Sequence, residues 1–376
     1  MIEYGNKEIA MNQTTHACHA PKLLHIEFLR FLCIWLVMFT HTSTAGFSLY
    51  LVRPQSFFFP LYLAVPFWVK TAVPIFFMIS GALLLGKDEP LSVIFQKRVY
   101  RFVKILVIFS LINYVYFYHG LPLSLSGHIH KFFTLLYSSN LATAYYFLYI
   151  YVSFLLMLPL WRALTKMMNG KLYLYLAGLN LFFVGFMPIL SFAIFQGSAE
   201  LNYFINPLLA VSEPTFYFLL GYGMEHVLPK QWITAKHLTI LGLFAVMGTA
   251  LAGYMTYYHG VVAGGLTEEI SERFYDSFLL LNASFVYLAS KYWFLRRKTA
   301  GRAKRFLTLL GSLSFGVMLF EEITRSLTRP FFTQVLLGLF PGIPFIDAVL
   351  WISLAFLLGL VLTSAVKQIS FFRHLI

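Results

Sequence analysis

The sequence predicts an all-α integral membrane protein, a bundle of about ten transmembrane helices with both termini cytoplasmic. Three observations carry that expectation. Of 376 residues, 59% are hydrophobic and 11% charged, with a mean hydropathy of +0.74, where an ordinary soluble domain has about 25% charged residues. The apolar residues fall in runs of about 20, the length that crosses a bilayer as a helix, without the strict alternation of barrel strands. The basic residues, 28 Lys and Arg against 15 Asp and Glu, concentrate in alternate connections, as membrane topology demands. This composition excludes a soluble globular protein, a disordered chain and a disulfide scaffold. In so apolar a chain the formal charge of +13 is a topology signal, and no nucleic-acid partner is expected.

The elements follow in chain order. Residues 1–22 are polar and read as a cytoplasmic tail without the apolar stretch of a cleavable signal. His16, Cys18 and His19 there are too sparse for a metal site, and none is expected elsewhere. A single transmembrane domain spans 23–366, and 367–376 form a short cytoplasmic tail. The first span, 23–44, contains Glu27, Arg30, Cys33 and His41; Cys33 reads as a small packing residue. The second, 61–85, ends in TAVPIFFMISGALLLGK, where Ser80-Gly81 permits close approach of a neighbouring helix. The third, 102–118, follows the basic segment FQKRVYRFVK and ends in Tyr114, Tyr116 and Tyr118, an aromatic belt at headgroup depth. Spans 143–160 and 172–195 bracket Arg162, Lys166 and Lys171. Span 207–228 leads to Lys230 and Lys236, and 238–258 ends in a second belt, Tyr254, Tyr257 and Tyr258. Span 274–294 runs into the densest basic stretch, Lys291 to Arg305, and 306–328 and 346–366 complete the set. With the N-terminus inside, 21 basic residues lie on the cytoplasmic side and five on the other. The outer loops, 119–142 and 259–273, are too short to be domains, and no inverted repeat of the kind common in transporters is visible.

Ionisable residues inside spans are costly and mark function by default. Arg30 and His41 are eleven residues apart, about 20° beyond three full turns, so they share one stripe of the first helix with ~16 Å of rise between them. Glu27, three residues before Arg30, is in reach of an intrahelical ion pair. The plainer reading is that Glu27 and Arg30 snorkel at the membrane edge and His41 is a hydrogen-bonded core residue. Arg98 and Arg101 share a helix face at the start of the third span. They either hold topology beside anionic lipid or form a two-guanidinium grip on phosphate.

The arrangement Arg30-x10-His41, with Glu27 before it, resembles the first helix of the bacterial membrane-bound acyltransferase-3 family. VPIFFMISGALLL is similar to that family's second-helix block, and KRVYRFVKIL to the Arg-x-x-Arg segment that follows. YYFLYIYVSFLLMLPL, FYFLLGYGMEH, FYDSFLLLNASFVYLASKYW and SFGVMLFEE resemble later blocks, so the likeness runs from about 23 to 366. Three positions depart from the pattern: Tyr146 where Trp is usual, Met318 where Tyr is common, and Glu321 where His is common.

The resemblance implies an O-acyltransferase that takes an acyl group, acetyl before others, from cytoplasmic acyl-CoA. The acceptor would be a hydroxyl of a cell-envelope carbohydrate or lipid-linked glycan, and the setting the bacterial inner membrane. Acyl-CoA would be a co-substrate, with no tightly bound cofactor, and membrane lipids the other partner. His41, Arg30 and Glu27 carry over as the catalytic group, His41 as base, since an imidazole titrates near neutrality. Arg98, Arg101, Ser80 and Gly81 carry over to the donor side. Glu321 and Glu322 in the late block, with Asp276 and Glu213, are candidates for the acceptor side or for solvated helix ends. The rival reading is a polytopic transporter or flippase, in which intramembrane Arg, His and Glu relay protons or substrate; Lys70 and Glu321, without assigned chemistry, favour it.

Overall fold

A computed structural model describes residues 23–297 and 299–376. The tail 1–22, with His16, Cys18 and His19, lies outside the described residues, as does Lys298. Among the described residues every regular element is helical. The longer helices, in chain order, are α1 (Leu24–Thr40), α2 (Phe59–Val69), α3 (Ala72–Leu84), α4 (Tyr100–Tyr118), α5 (Leu125–Ser138), α6 (Tyr146–Met167) and α7 (Gly170–Phe195). They continue with α8 (Glu213–Tyr222), α9 (Ala235–Val262), α10 (Glu268–Tyr275), α11 (Leu279–Arg296), α12 (Gly301–Phe331) and α13 (Pro344–Val366).

Local chemistry sets the helix starts. The side chains of Ser124, Asn169, Thr234 and Thr267 accept backbone N–H bonds at the N-termini of α5, α7, α9 and α10, satisfying donors that the first turn leaves open. Among the described residues seven helical segments are long and apolar enough to cross a membrane: Phe59–Leu84, Leu91–Tyr118, Thr143–Met167, Gly170–Phe195, Ala235–Val262, Gly301–Leu336 and Pro344–Val366. The pair α10 and α11, bent by 62°, makes an eighth if it counts as one span; Phe278 at the bend has φ +63°. Two expected spans are shorter as helices. α1 stops after 17 residues, at His41. Segment 207–228 is interrupted at Ser212, whose extended ψ of 101° precedes Pro214 in the first turn of α8.

α1 sits in the middle of the bundle, packed on α12, α3, α11, α13 and α2. Its fit to α12 depends on Gly311, where a Cβ would collide with Glu27. The start of α1 is held by a buried network centred on Glu225: His25 Nε2 and Lys291 Nζ each lie 3.2 Å from its carboxylate, and Tyr287 donates to it at 3.0 Å. α3 and α8 approach backbone to backbone. A Cβ on Gly81 would strike the Phe218 carbonyl, and one on Gly221 the backbone of Met78. These glycines permit van der Waals contact that any side chain would prevent.

Candidate active site

The two ends of the α1 stripe open into two different cavities. At the far end His41 is the residue on which α1 terminates. Its Nδ1 lies 3.0 Å from Glu321 Oε1 on α12. One turn on, Arg325 donates through Nε to the same oxygen at 2.9 Å and reaches the His41 carbonyl at 3.4 Å. The Glu321 side chain is 1% exposed, so its charge is balanced by Arg325 and held against the imidazole. With Nδ1 committed to the carboxylate, His41 Nε2 has no protein partner among the described residues. A carboxylate so placed fixes the ring tautomer and stabilises the imidazolium when it forms.

His41 lines a cavity of about 140 Å³ together with Thr40, Lys70, Tyr146, Glu213 and Asp276. Lys70 reaches it because the helix breaks between α2 and α3, where Lys70 is the last capping residue. Asp276 reaches it from the bend between α10 and α11, and Glu213 from the first turn of α8.

Toward the other end, Arg30 lines a larger cavity of about 470 Å³ with Ser80, Lys87, Arg98, Arg101, Tyr151 and Lys367. Arg30 donates to Glu27 at 3.1 Å. The two cavities stack along the same helices. Ile34, Phe76 and Phe147 line the larger one, and Val37, Val73 and Tyr146, from the same α1, α3 and α6, line the smaller.

Most of the basic groups here already have partners. Arg98 makes a two-pronged contact with Glu89, through Nε at 2.8 Å and through Nη2. Buried Arg162 donates to Glu89 at 3.0 Å and to the Leu84 carbonyl. The Arg98 hydrogen bond, with help from Arg162, holds the Glu89 carboxyl down at about 2. Arg101 donates twice to the Leu375 carbonyl, at 3.1 and 2.9 Å. Arg101 thus anchors the end of the segment that follows the short helix Ser370–Arg373, and buried Ile376 lines the cavity.

The residues singled out from sequence therefore divide. Glu27, Arg30, Ser80, Arg98 and Arg101 gather at the larger cavity, and His41, Glu213 and Asp276 at the smaller, with Glu321 behind His41. Glu27 and Glu321 stand behind wall residues, on Arg30 and His41, and the remaining two serve neither cavity. Gly81 is turned away onto Phe218, which is why it must be glycine. Glu322 accepts the Thr143 backbone N–H at 2.9 Å and serves the turn that starts α6. Three charged residues that support these contacts were not candidates from sequence: Glu89, and Arg162 and Arg325, which counted only toward topology. Only Arg325 had a readable signal, its i,i+4 spacing from Glu321.

A family model for an acyltransferase domain, that of the acyltransferase-3 family, matches residues 23–367. No curated protein and no solved structure matches the chain.

Proposed function

The chain belongs to the acyltransferase-3 family, and on that premise we propose that it is a membrane O-acyltransferase moving an acyl group, acetyl before others, from acyl-CoA to a hydroxyl of a cell-envelope glycan or lipid-linked sugar. In this reading about ten helical segments cross the bacterial inner membrane, both termini face the cytoplasm, and the Arg30 cavity is the cytoplasmic donor site. Family membership does not favour the transporter reading.

The observation that carries the proposal is the pairing of His41 with Glu321 at 3.0 Å on the wall of a cavity. A base needs one free nitrogen, a fixed tautomer and access to substrate. The acceptor hydroxyl attacks the thioester carbonyl while His41 Nε2 takes its proton, and Glu321 balances the resulting imidazolium. The tetrahedral intermediate collapses with cleavage of the C–S bond, and the proton on His41 passes to the leaving thiolate. The products are an O-ester and free CoA. Arg98 and Arg101 would meet donor phosphates by exchanging Glu89 and the Leu375 carbonyl for a stronger anionic partner. Arg30, kept in orientation by Glu27, lies between that mouth and the reacting end. The long thiol arm of the donor would then cover the ~16 Å of rise from Arg30 to His41.

The test compares envelope glycans of wild type, a deletion strain and a His41→Ala strain by NMR, with insertion of the variant protein checked. Ester signals present in wild type should vanish in both other strains. Unchanged signals in the deletion would overturn the acyltransfer reading, and unchanged signals in a well-inserted His41→Ala variant would overturn the role of His41. For the donor, Arg98→Ala with Arg101→Ala should weaken acyl-CoA binding at least tenfold; an unchanged Kd would return both residues to topology and packing.

A further inference from the structure

The cavity beside His41 contains more polar chemistry than a general base requires. Lys70, Glu213 and Asp276 arrive from three different helix ends and meet at its wall. Among the described residues, none of the three makes a side-chain hydrogen bond or salt bridge. The nearest contact of the Lys70 ammonium is the Tyr275 ring, 5.4 Å from its centre. Asp276 is exposed, and the surface it presents forms part of this enclosure. Lys70 and Glu213 are partly buried, and a ligand that displaces water from this wall has to supply partners for all three groups, because charged groups dried without them are costly. Elsewhere this chain compensates such groups, as Glu225 is by His25, Lys291 and Tyr287, and Glu89 by Arg98 and Arg162.

We propose that Lys70, Glu213 and Asp276 form the recognition subsite for the acceptor, built to hold one six-membered polyhydroxyl ring that is neutral or bears an amine and to reject an acidic one. The inference rests on the acyltransfer reading and adds to it the residues that choose the acceptor and the charge class they choose.

Size sets the first limit. About 140 Å³ is close to the ~150 Å³ apolar cavity that admits a single benzene, and a hexose has twice benzene's heavy atoms, so the hydroxyl-bearing edge of one ring enters and a disaccharide does not. The remainder of a longer glycan stays outside. Donor and acceptor inventory sets the second. A ring hydroxyl both donates and accepts, so neighbouring hydroxyls can give protons to the two carboxylates and take one from the ammonium, satisfying all three groups at once. An apolar ligand of the same size would leave them unpaired. Charge sets the third. Two carboxylates against one ammonium welcome an amine, whereas a carboxylate or phosphate on the ring would become a third anion in the enclosure. Glu321, just behind His41 on α12, adds to the same sign, though Arg325 offsets it.

The experiment has two arms. In the first, the wild-type envelope glycan is hydrolysed with its esters retained, and the ring carrying the ester is identified by NMR. A neutral or amino sugar is expected; an ester on a uronic acid or on a phosphorylated ring overturns the inference. In the second, Lys70→Met, Glu213→Gln and Asp276→Asn are each placed in the full chain in its native membrane. Each should lower glycan ester content at least tenfold at native acceptor levels, while the Kd for acetyl-CoA stays within twofold of wild type. A merely structural role would move both readouts together. Wild-type ester content in all three variants, or loss of ester with an equal loss of donor binding, overturns the subsite. Absence of ester from wild-type glycans removes the acyltransfer reading itself, so the two failures are distinguishable.

Discussion

Replacing Glu321 by Gln keeps the shape of the side chain and removes its charge from beside His41. The size of the effect follows from the geometry. Nδ1 and Oε1 are 3.0 Å apart, which places the centres of imidazolium and carboxylate roughly 4 Å apart; at an effective dielectric of about 20 that attraction is ~4 kcal/mol. His41 is 14% exposed, so solvent screens part of it, and a loss of about 2–4 kcal/mol of transition-state stabilisation is expected. At 1.36 kcal/mol per decade this is a fall in transfer rate of ~30- to 1,000-fold. The substitution also leaves Arg325 facing a base that must become positive, which acts in the same direction. The assay is transfer of labelled acetyl from acetyl-CoA to envelope glycan in membranes, with donor Kd as the control for fold. If Glu321→Gln retains activity within threefold of wild type while His41→Ala has none, the carboxylate does not support the base and the reasoning is refuted.

Three further outcomes concern the scaffold. Gly81→Ala places a methyl group on the Phe218 carbonyl; overpacking against side chains costs about 1–3 kcal/mol, and backbone yields less, so a clear drop in thermal midpoint in detergent is expected and an unchanged midpoint would count against the close seam. Glu225→Gln leaves Lys291, whose side chain is 5% exposed, without its counter-charge, and should destabilise by about 3 kcal/mol or more, measured by the same melting curve. Glu89 titrates at about 2 rather than 4.5, so its contribution is complete above about pH 4.5 and is lost as pH falls toward about 2. Wild type should therefore lose midpoint across that window faster than Glu89→Gln, and parallel curves would show that the Arg98 and Arg162 contacts carry no linked stability.

What the sequence disclosed was what lies close along the chain. Glu27 and Arg30 are three residues apart, and helical geometry alone predicts the contact seen at 3.1 Å. The apolar runs located nearly all of the helices. Their lengths were harder to read, because α1 ends where His41 turns toward α12, and segment 207–228 breaks at Ser212 before Pro214. Hydropathy averages over such interruptions. The partner of His41 was out of reach for a different reason: Glu321 is 280 residues away, and only the packing of α12 on α1 makes them neighbours. Gly81 was recognisable as a site of close approach, but which way it faces depends on Phe218. Arg98 and Arg101 were legible as a pair. Their engagement by Glu89 and the Leu375 carbonyl was not, since both partners come from connecting segments with no helical period.

The glycine seam between α3 and α8 also bears on traffic. α3 contributes Val73 to one cavity and Phe76, Ile79 and Ser80 to the other, and through Gly81 and Gly221 it is joined to α8 as a single plank. A wall interlocked at the level of the main chain is a poor place for a door, because parting it would forfeit contacts along both helices together. Exchange of reactants and products is therefore expected on other sides. On the proposed acyltransfer reading the donor would enter where Arg98 holds Glu89 and Arg101 holds the Leu375 carbonyl, polar contacts that can be traded for substrate. On the same reading the acceptor would enter by the bend that carries Asp276. Two doors at opposite ends would let each reactant come and go without waiting for the other, so a covalent tether across α3 and α8 should leave turnover intact, whereas one fastening residue 375 to residue 101 should halt it.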